Sequence, residues 1–180
     1  MKVKFTYNKK IDNKCWKRYN AFLKENKTVW GLSKTIKPII DIKKADFVMD
    51  VTDIMKKYEK IFDTMVKIKG YIVTTPFSMI NDDGPTTKNG TIYYSIYTQN
   101  PSVVVAHEIF HIFFEKYTNR DIPNYEEAKE YFTVIMNDLF GSNVSGGYPN
   151  HQQQRNKIFK VWKKNHSIDD CVSYFKQNPF

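Results

Sequence analysis

The sequence of 180 residues has little cysteine and no long apolar segment. Its two cysteines, Cys15 and Cys171, are too few for the dense disulfide framework of a small secreted domain. No stretch approaches the roughly 20 apolar residues of a membrane-spanning helix. The opening residues, MKVKFTY, also lack the apolar core of a signal peptide. These absences argue against a disulfide scaffold and a membrane protein, and they predict a cytoplasmic location.

Glycine and proline are sparse, and no Gly/Ser-rich or Pro-rich linker divides the chain. The sequence contains no internal repeat either. Hydrophobic residues make up 41% and aromatic residues 16%, which excludes a disordered chain or a coiled coil. The length suits one domain with a sizeable core. We therefore expect residues 1–180 to form a single domain.

Acidic residues are outnumbered, with 19 Asp and Glu against 28 Lys and Arg, so the formal net charge is +9. This excess favours acidic partners but does not identify a chemistry. One predicted helix carries a basic series: Arg155, Lys157, Lys160, Lys163 and Lys164. Nucleic-acid binding is therefore an alternative function. No helix-turn-helix, RNA-binding or zinc-finger pattern accompanies the series, and a solvated lysine-rich helix face explains it more simply.

The spacing of apolar residues predicts strands and helices in the first half of the chain and helices alone in the second. The first half is predicted to contain a strand at 3–7, a helix capped by Asp12, short extended pieces within 29–50, a helix from Thr52 or Asp53 to Gly70, strands at 71–75 and 91–97, and turns within 81–90. The second half is predicted to contain helices at 101–117, 123–140, 151–165 and 168–177, the last capped by Ser167. We expect an α+β fold with a mixed lobe over 1–100 and a helical lobe over 101–180.

The helix predicted at 101–117 contains the pattern His-Glu-x-x-His, formed by His107, Glu108 and His111. Histidines four residues apart share one helix face, so both imidazoles can bind one Zn²⁺. Glu108 lies beside that face and can act as a general base toward a zinc-bound water. The alternative is a pair of hydrogen-bonded core histidines, but a helix this apolar gains nothing from unpaired polar groups. The pattern therefore favours a metal site.

Residues 90–140 resemble the gluzincin class of zinc metallopeptidases, which have a thermolysin-like active-site helix and glutamate helix. In that class an edge strand precedes the His-Glu-x-x-His helix, and a later helix supplies a glutamate as the third zinc ligand. The strand at 91–97 and the helices at 101–117 and 123–140 follow in this order. The resemblance implies a compact zincin-like fold, Zn²⁺ as cofactor and peptide-bond hydrolysis. The metzincin pattern fits poorly because no third histidine follows soon after His111.

The resemblance implies Glu130 as the third zinc ligand, because Glu130 and Thr133 match the Glu-x-x-Ser/Thr pattern of the glutamate helix. Two other glutamates begin the same helix. A helical wheel places Glu130 within the polar side of the helix and Glu127 nearer the apolar border. Glu127 is therefore the main alternative, and Glu126 is a further one.

The glutamate helix also departs from the gluzincin pattern. Lys129 stands where an Asn usually precedes the Glu, and Val134 replaces the aspartate that often follows it. A zinc-bound histidine usually donates its second N–H to a carboxylate or carbonyl oxygen. We expect Asn137 or Asp138 to supply that partner.

Gluzincins often use a Tyr or His beyond the glutamate helix to stabilise the oxyanion of the transition state. Tyr148 and His151 are the candidates here, with ordinary surface loop residues as the alternative. The strand at 91–97, placed at a sheet edge, is expected to accept a peptide as an added antiparallel strand. Tyr93 and Tyr97 would then lie beside the substrate.

The sequence as a whole predicts a zinc-dependent metallopeptidase that cleaves peptide or protein substrates with narrow specificity. Its positive charge favours acidic substrates. The alternatives are a zinc-containing regulatory or catalytically inactive relative, and a basic nucleic-acid-binding protein.

Overall fold

The computed structural model of the chain describes residues 1–25, 46–76, 78–80, 89–141 and 145–179. The described part of the first half forms one mixed sheet with helices, and that of the second half is helical. The predicted α+β class is therefore confirmed, with the change to helix near residue 100. The extended pieces predicted between 29 and 45 and the turn residues at 81–88 lie outside the described residues.

The sheet has the order β2-β1-β3-β5-β4. Its strands are β1 (Lys2–Tyr7), β2 (Asp46–Asp50), β3 (Lys67–Val73), β4 (Met79–Ile80) and β5 (Asn89–Ser95). The central pairs β1–β3 and β3–β5 are parallel, and the outer pairs are antiparallel. The prediction that β5 is an edge strand is wrong, because the short strand β4 pairs with it at Ile92 and Tyr93. β4 therefore already occupies the pairing positions of β5 at Ile92 and Tyr93.

Helices account for most of the remaining described residues. They are α1 (Lys9–Glu25), α2 (Thr52–Phe62), α3 (Pro101–Thr118), α4 (Tyr125–Phe132), α5 (Met136–Phe140), α6 (Gln152–Asn165) and α7 (Ile168–Gln177). A 3₁₀ turn at Thr133–Ile135 joins α4 to α5, so the helix predicted at 123–140 forms in two parts. The N-cap predicted for α7 is confirmed, because Ser167 Oγ accepts from the Asp170 N–H at 3.1 Å.

The predicted start of α1 is wrong. The side chain of Asn8 accepts from the backbone N–H groups of Lys10 and Ile11, at 3.0 and 3.2 Å, and so caps the helix. Asp12 lies inside the helix, is fully buried and accepts from the Thr74 N–H at 2.7 Å. Its carboxylate therefore fixes α1 to the end of β3.

The predicted end of α2 is also wrong, because the helix ends at Phe62 rather than Gly70. Asp63 adopts a left-handed backbone conformation, which terminates the helix. The apolar spacing continued past this point, but Met65 is in fact 78% exposed. Gly70 lies within β3, where a Cβ would collide with the Phe5 ring. The glycine therefore serves close packing inside the sheet.

Helix α3 packs on the sheet and carries most of its residues into the core. Its buried apolar side chains are Val105, Ala106, Ile109, Phe110, Ile112, Phe113 and Phe114. Gly90 of β5 lets Ile112 approach, since a Cβ at residue 90 would lie 2.5 Å from the Ile112 Cδ1. From the other side Tyr58 of α2 donates a hydrogen bond to the Ala106 carbonyl at 3.1 Å. These contacts fix the position of α3 relative to the sheet.

None of the helices in the described ranges is both long and apolar enough to cross a membrane.

Candidate metal centre

Helices α3 and α4 bring three potential metal ligands together. His107 and His111 stand one turn apart on α3, with their Nε2 atoms 2.8 Å from each other. From α4, Glu130 places Oε2 3.5 Å from His107 Nε2 and Oε1 3.2 Å from His111 Nε2. One ligand atom from each residue lies within 4.8 Å of the other two. Two imidazoles and a carboxylate therefore point at one common position.

Two of the three distances between these atoms fit a metal ion. A tetrahedral ion with bonds of about 2.0–2.2 Å holds its ligand atoms about 3.3–3.6 Å apart. The two distances from Glu130 oxygens, 3.5 and 3.2 Å, are close to that spacing, and the distance between the imidazoles is shorter. The donor set of His107, His111 and Glu130 can therefore hold a metal ion. These three ligands alone do not specify which ion.

The site is closed on one side and open on the other. The side chain of His111 is only 4% exposed, whereas those of His107 and Glu130 are 28% and 20% exposed. The buried Nδ1 of His111 makes no hydrogen bond to any described residue. A small molecule or peptide would therefore reach the site past His107 and Glu130.

The two partly exposed ligands, His107 and Glu130, shift each other's pKa. Burial alone would lower the pKa of His107, but a hydrogen bond to Glu130 and the charges of Glu108 and Glu130 outweigh it, so the pKa is raised. Burial would raise the pKa of Glu130, but the charges and hydrogen bonds of the two histidines hold it well below its usual range. Glu130 is therefore ionised at neutral pH.

The other two candidates for the third ligand lie elsewhere. Glu126 is exposed and forms an ion pair with Lys129. Glu127 is exposed, and its carboxylate accepts from the Tyr131 hydroxyl at 2.7 Å. Of the three glutamates on α4, Glu130 is the one beside the histidine pair.

Glu108 lies beside the ligands. Its residue is 8% exposed, and its negative charge raises the pKa of both His107 and Tyr148. The Glu108 side chain is therefore close enough to His107 and Tyr148 for its charge to affect both groups.

Tyr148 approaches the site from the segment before α6. Burial, followed by the charges of Glu130 and Glu108, raises the pKa of Tyr148 to about 12. Its hydroxyl therefore keeps its proton at neutral pH. His151 packs edge-on against Tyr148 at 5.1 Å between ring centroids, and against Tyr131 at 4.8 Å. Of the two predicted oxyanion residues, Tyr148 is thus the one whose pKa is raised by the charges of the site. His151 packs against the Tyr148 ring.

The predicted hydrogen-bond partners of the histidines are wrong. Asn137 instead bonds the backbone of Ser145, and Asp138 accepts from Trp162 and Lys163 of α6. The 3₁₀ turn after α4 changes the course of the chain before these residues, so α5 presents them to α6 and the 145–148 segment.

The two tyrosines expected to lie beside a substrate differ in their surroundings. Tyr93 packs with Cys15 and Val73 in a separate apolar cluster, away from the core cluster that contains α3. Tyr97 lies just beyond β5 and is 51% exposed.

Arg155 is a residue near the site that the sequence reading missed. Only 1% of it is exposed, so it does not belong to the basic helix face on which the nucleic-acid alternative rested. The signal was present in the buried stripe Arg155, Ile158 and Trp162, which has the spacing of one helix face. Because lysines surround Arg155 in the sequence, Arg155 was assigned to the basic helix face instead of to this buried stripe.

Comparisons of the chain with protein-family models, with curated proteins and with solved structures find no match.

Proposed function

We propose that the protein is a zinc-dependent metallopeptidase, with His107, His111 and Glu130 as the zinc ligands. The observation that supports this most strongly is the convergence of those three side chains from two helices, with Glu108 beside them. Two imidazoles and one carboxylate form a donor set that zinc enzymes use, and three protein ligands leave a position for the reactants. A structural zinc site would instead use four protein ligands.

The proposed roles follow from the side chains. When bound, zinc would activate water and polarise the substrate carbonyl as a Lewis acid. His107 and His111 would present neutral Nε2 atoms, and Glu130 would contribute a negative charge. The carboxylate of Glu108 would take the proton from the attacking water and pass it to the amine that leaves.

Tyr148 is proposed to stabilise the transition state. A hydroxyl that keeps its proton can donate a hydrogen bond to the negative charge that develops on the substrate carbonyl oxygen. The pKa of about 12 keeps Tyr148 in this donor form across the physiological range. His151, which packs on its ring, would restrict its orientation.

The substrate is proposed to be a peptide or protein of narrow specificity, and the net charge of +9 favours acidic ones. To test the activity, zinc-loaded protein would be incubated with a proteome-derived peptide mixture, and new termini identified by mass spectrometry. We expect cleavages that disappear with a chelator and return with zinc. Stoichiometric zinc without any zinc-dependent cleavage would favour the inactive or regulatory relative instead.

Zinc affinity is expected to rise about tenfold per pH unit until His107 loses its proton. Zinc requires a neutral imidazole, and the raised pKa of His107 lets a proton compete to a higher pH than at an isolated histidine. Glu130 adds no pH dependence here, because its lowered pKa keeps it ionised. Chelator competition between about pH 5.5 and 7.5 measures this slope. A flat affinity across that range would contradict the assignment of His107.

A further inference from the structure

A buried guanidinium, that of Arg155, is hydrogen-bonded to the backbone of the candidate metal ligand Glu130. Arg155 Nη1 donates to the Glu130 carbonyl at 2.8 Å and to Thr133 Oγ1 at 2.7 Å. Its Nη2 donates to the Ser145 carbonyl at 2.6 Å and to Ser145 Oγ at 3.2 Å. One side chain of α6 thus bonds both the backbone of a proposed zinc ligand and the 145–148 segment that leads to Tyr148.

Further hydrogen bonds close this network. Thr133 Oγ1 donates to the Glu130 carbonyl at 2.7 Å and accepts from Ser145 Oγ at 2.9 Å. Asn137 accepts from the Ser145 N–H at 2.7 Å and donates to the Ser145 carbonyl at 3.1 Å. Thr133 is fully buried and Ser145 nearly so, which makes any lost bond costly.

The 145–148 segment is shaped around the guanidinium. Gly147 has a φ of +63°, and a Cβ there would lie 2.5 Å from Arg155 Nε and 2.6 Å from Arg155 Cζ. Only glycine fits both this conformation and this contact. The backbone immediately before Tyr148 therefore rests on Arg155.

Burying an arginine side chain costs free energy. Taking a cation out of water costs several kcal/mol unless charges and hydrogen bonds compensate it. Here burial lowers the pKa of Arg155, and the negative charge of Glu130 works against that lowering. A role in linking the Glu130 helix to the 145–148 segment gives a physical reason for burying the arginine despite its desolvation cost.

We propose that Arg155 is a positioning residue that joins the Glu130 helix to the Tyr148 segment, so that zinc binding and the order of residues 145–148 are coupled. This inference rests on the proposed zinc site. Arg155 acts through the Glu130 backbone, Thr133 and Ser145, and it does not touch the substrate. Coupling is reciprocal, so zinc should protect the segment, and loosening the network should weaken zinc binding.

The first test compares Arg155→Lys with the matched control Arg120→Lys. Arg120 pairs with buried Glu115 at 2.8 Å at the far end of α3 and makes none of the described contacts of the Arg155 network. A lysine keeps the charge but loses the planar fork that bonds two carbonyls at once. Zinc affinity would be measured by chelator competition, and amide hydrogen exchange of 145–148 with and without zinc. The unfolding midpoint of each zinc-free variant would record its general stability.

We expect zinc to slow exchange of residues 145–148 in the wild-type protein. Arg155→Lys should weaken zinc binding by about tenfold, at the lower end of the range for residues that support a ligand, and should abolish most of that protection. Arg120→Lys should leave both unchanged even if it lowers the unfolding midpoint. A merely structural role for Arg155 would lower the midpoint without changing the zinc-dependent protection, and would overturn the proposal.

A second pair of variants decides the question if Arg155→Lys does not fold. Thr133→Val keeps the shape of the side chain and removes the hydroxyl, whereas Thr133→Ser keeps the hydroxyl. We expect Thr133→Val to weaken zinc binding about tenfold and Thr133→Ser to restore it. Equal affinity and protection in wild type and Thr133→Val would overturn the coupling and leave the zinc site intact. Absence of zinc binding in the wild type would overturn the proposed function itself, and the coupling with it.

Discussion

Replacing Glu108 by Gln is expected to lower zinc-dependent peptide cleavage by about 10²–10⁴-fold, the usual contribution of a general base. Gln has the same shape as Glu but can neither take the proton from water nor return it to the leaving amine. Glu108 is not among the three converging ligands, so zinc content should stay at the wild-type level. The measurement is turnover of one cleaved peptide, together with the zinc content of each protein.

The matched control for this change is Glu115→Gln. Glu115 lies two turns further along α3, is buried to a similar extent and pairs with Arg120. Glu115→Gln should lower the free energy of unfolding and leave peptide turnover largely unchanged. Unchanged turnover in Glu108→Gln would remove Glu108 as the base, and a loss of zinc would instead make it a ligand.

Replacing Glu130 by Gln is expected to weaken zinc binding by more than about 100-fold, beyond the 10–100-fold typical of residues that only support a ligand. The change removes the one negative charge among the three ligands. It also removes the carboxylate that raises the pKa of His107 through a hydrogen bond. The affinity of each variant would be measured by competition with a chromophoric chelator.

Glu127→Gln supplies the control, because it makes the same chemical change one turn earlier on α4. Glu127 is exposed and accepts from Tyr131, so its replacement should leave zinc affinity within about twofold of wild type, as for a surface change. If Glu127→Gln weakened binding and Glu130→Gln did not, the third ligand would be assigned wrongly.

Local spacing was enough to predict the histidine helix. Pro101 begins α3, the apolar residues run through it, and the i, i+4 geometry places His107 and His111 together without help from the rest of the fold. The cap of α7 at Ser167 is equally local. Features of this kind depend only on residues that are close together in the sequence, so they can be predicted from the sequence alone.

The choice among the three glutamates could not be decided by local spacing. A helical wheel separates polar from apolar sides, but it does not say what the polar side faces. Glu130 lies on the polar side of α4, yet its carboxylate lies beside His107 and His111, whereas Glu126 and Glu127 are exposed to solvent. Only the packing of α4 against α3 shows this.

Other errors have the same origin in long-range packing. The place of β4 beside β5 depends on pairing between separate strands, so β5 looked like an edge. Arg155 looked like part of a basic face, because its partners Glu130, Thr133 and Ser145 precede it by 10–25 residues. The start of α1 was predicted wrongly because Asn8 and Asp12 are both suitable N-cap residues. Only the contact of Asp12 with Thr74, which is distant in the sequence, explains why Asp12 lies inside the helix.

The zinc content of the purified, zinc-saturated protein tests the central claim most directly. Elemental analysis after removal of free metal would compare wild type with the double variant His107→Ala, His111→Ala. The site predicts one zinc per wild-type chain and none in the variant, with both proteins folded by circular dichroism. A wild-type chain without zinc, or an equal zinc content in the double variant, would contradict the site described by His107, His111 and Glu130.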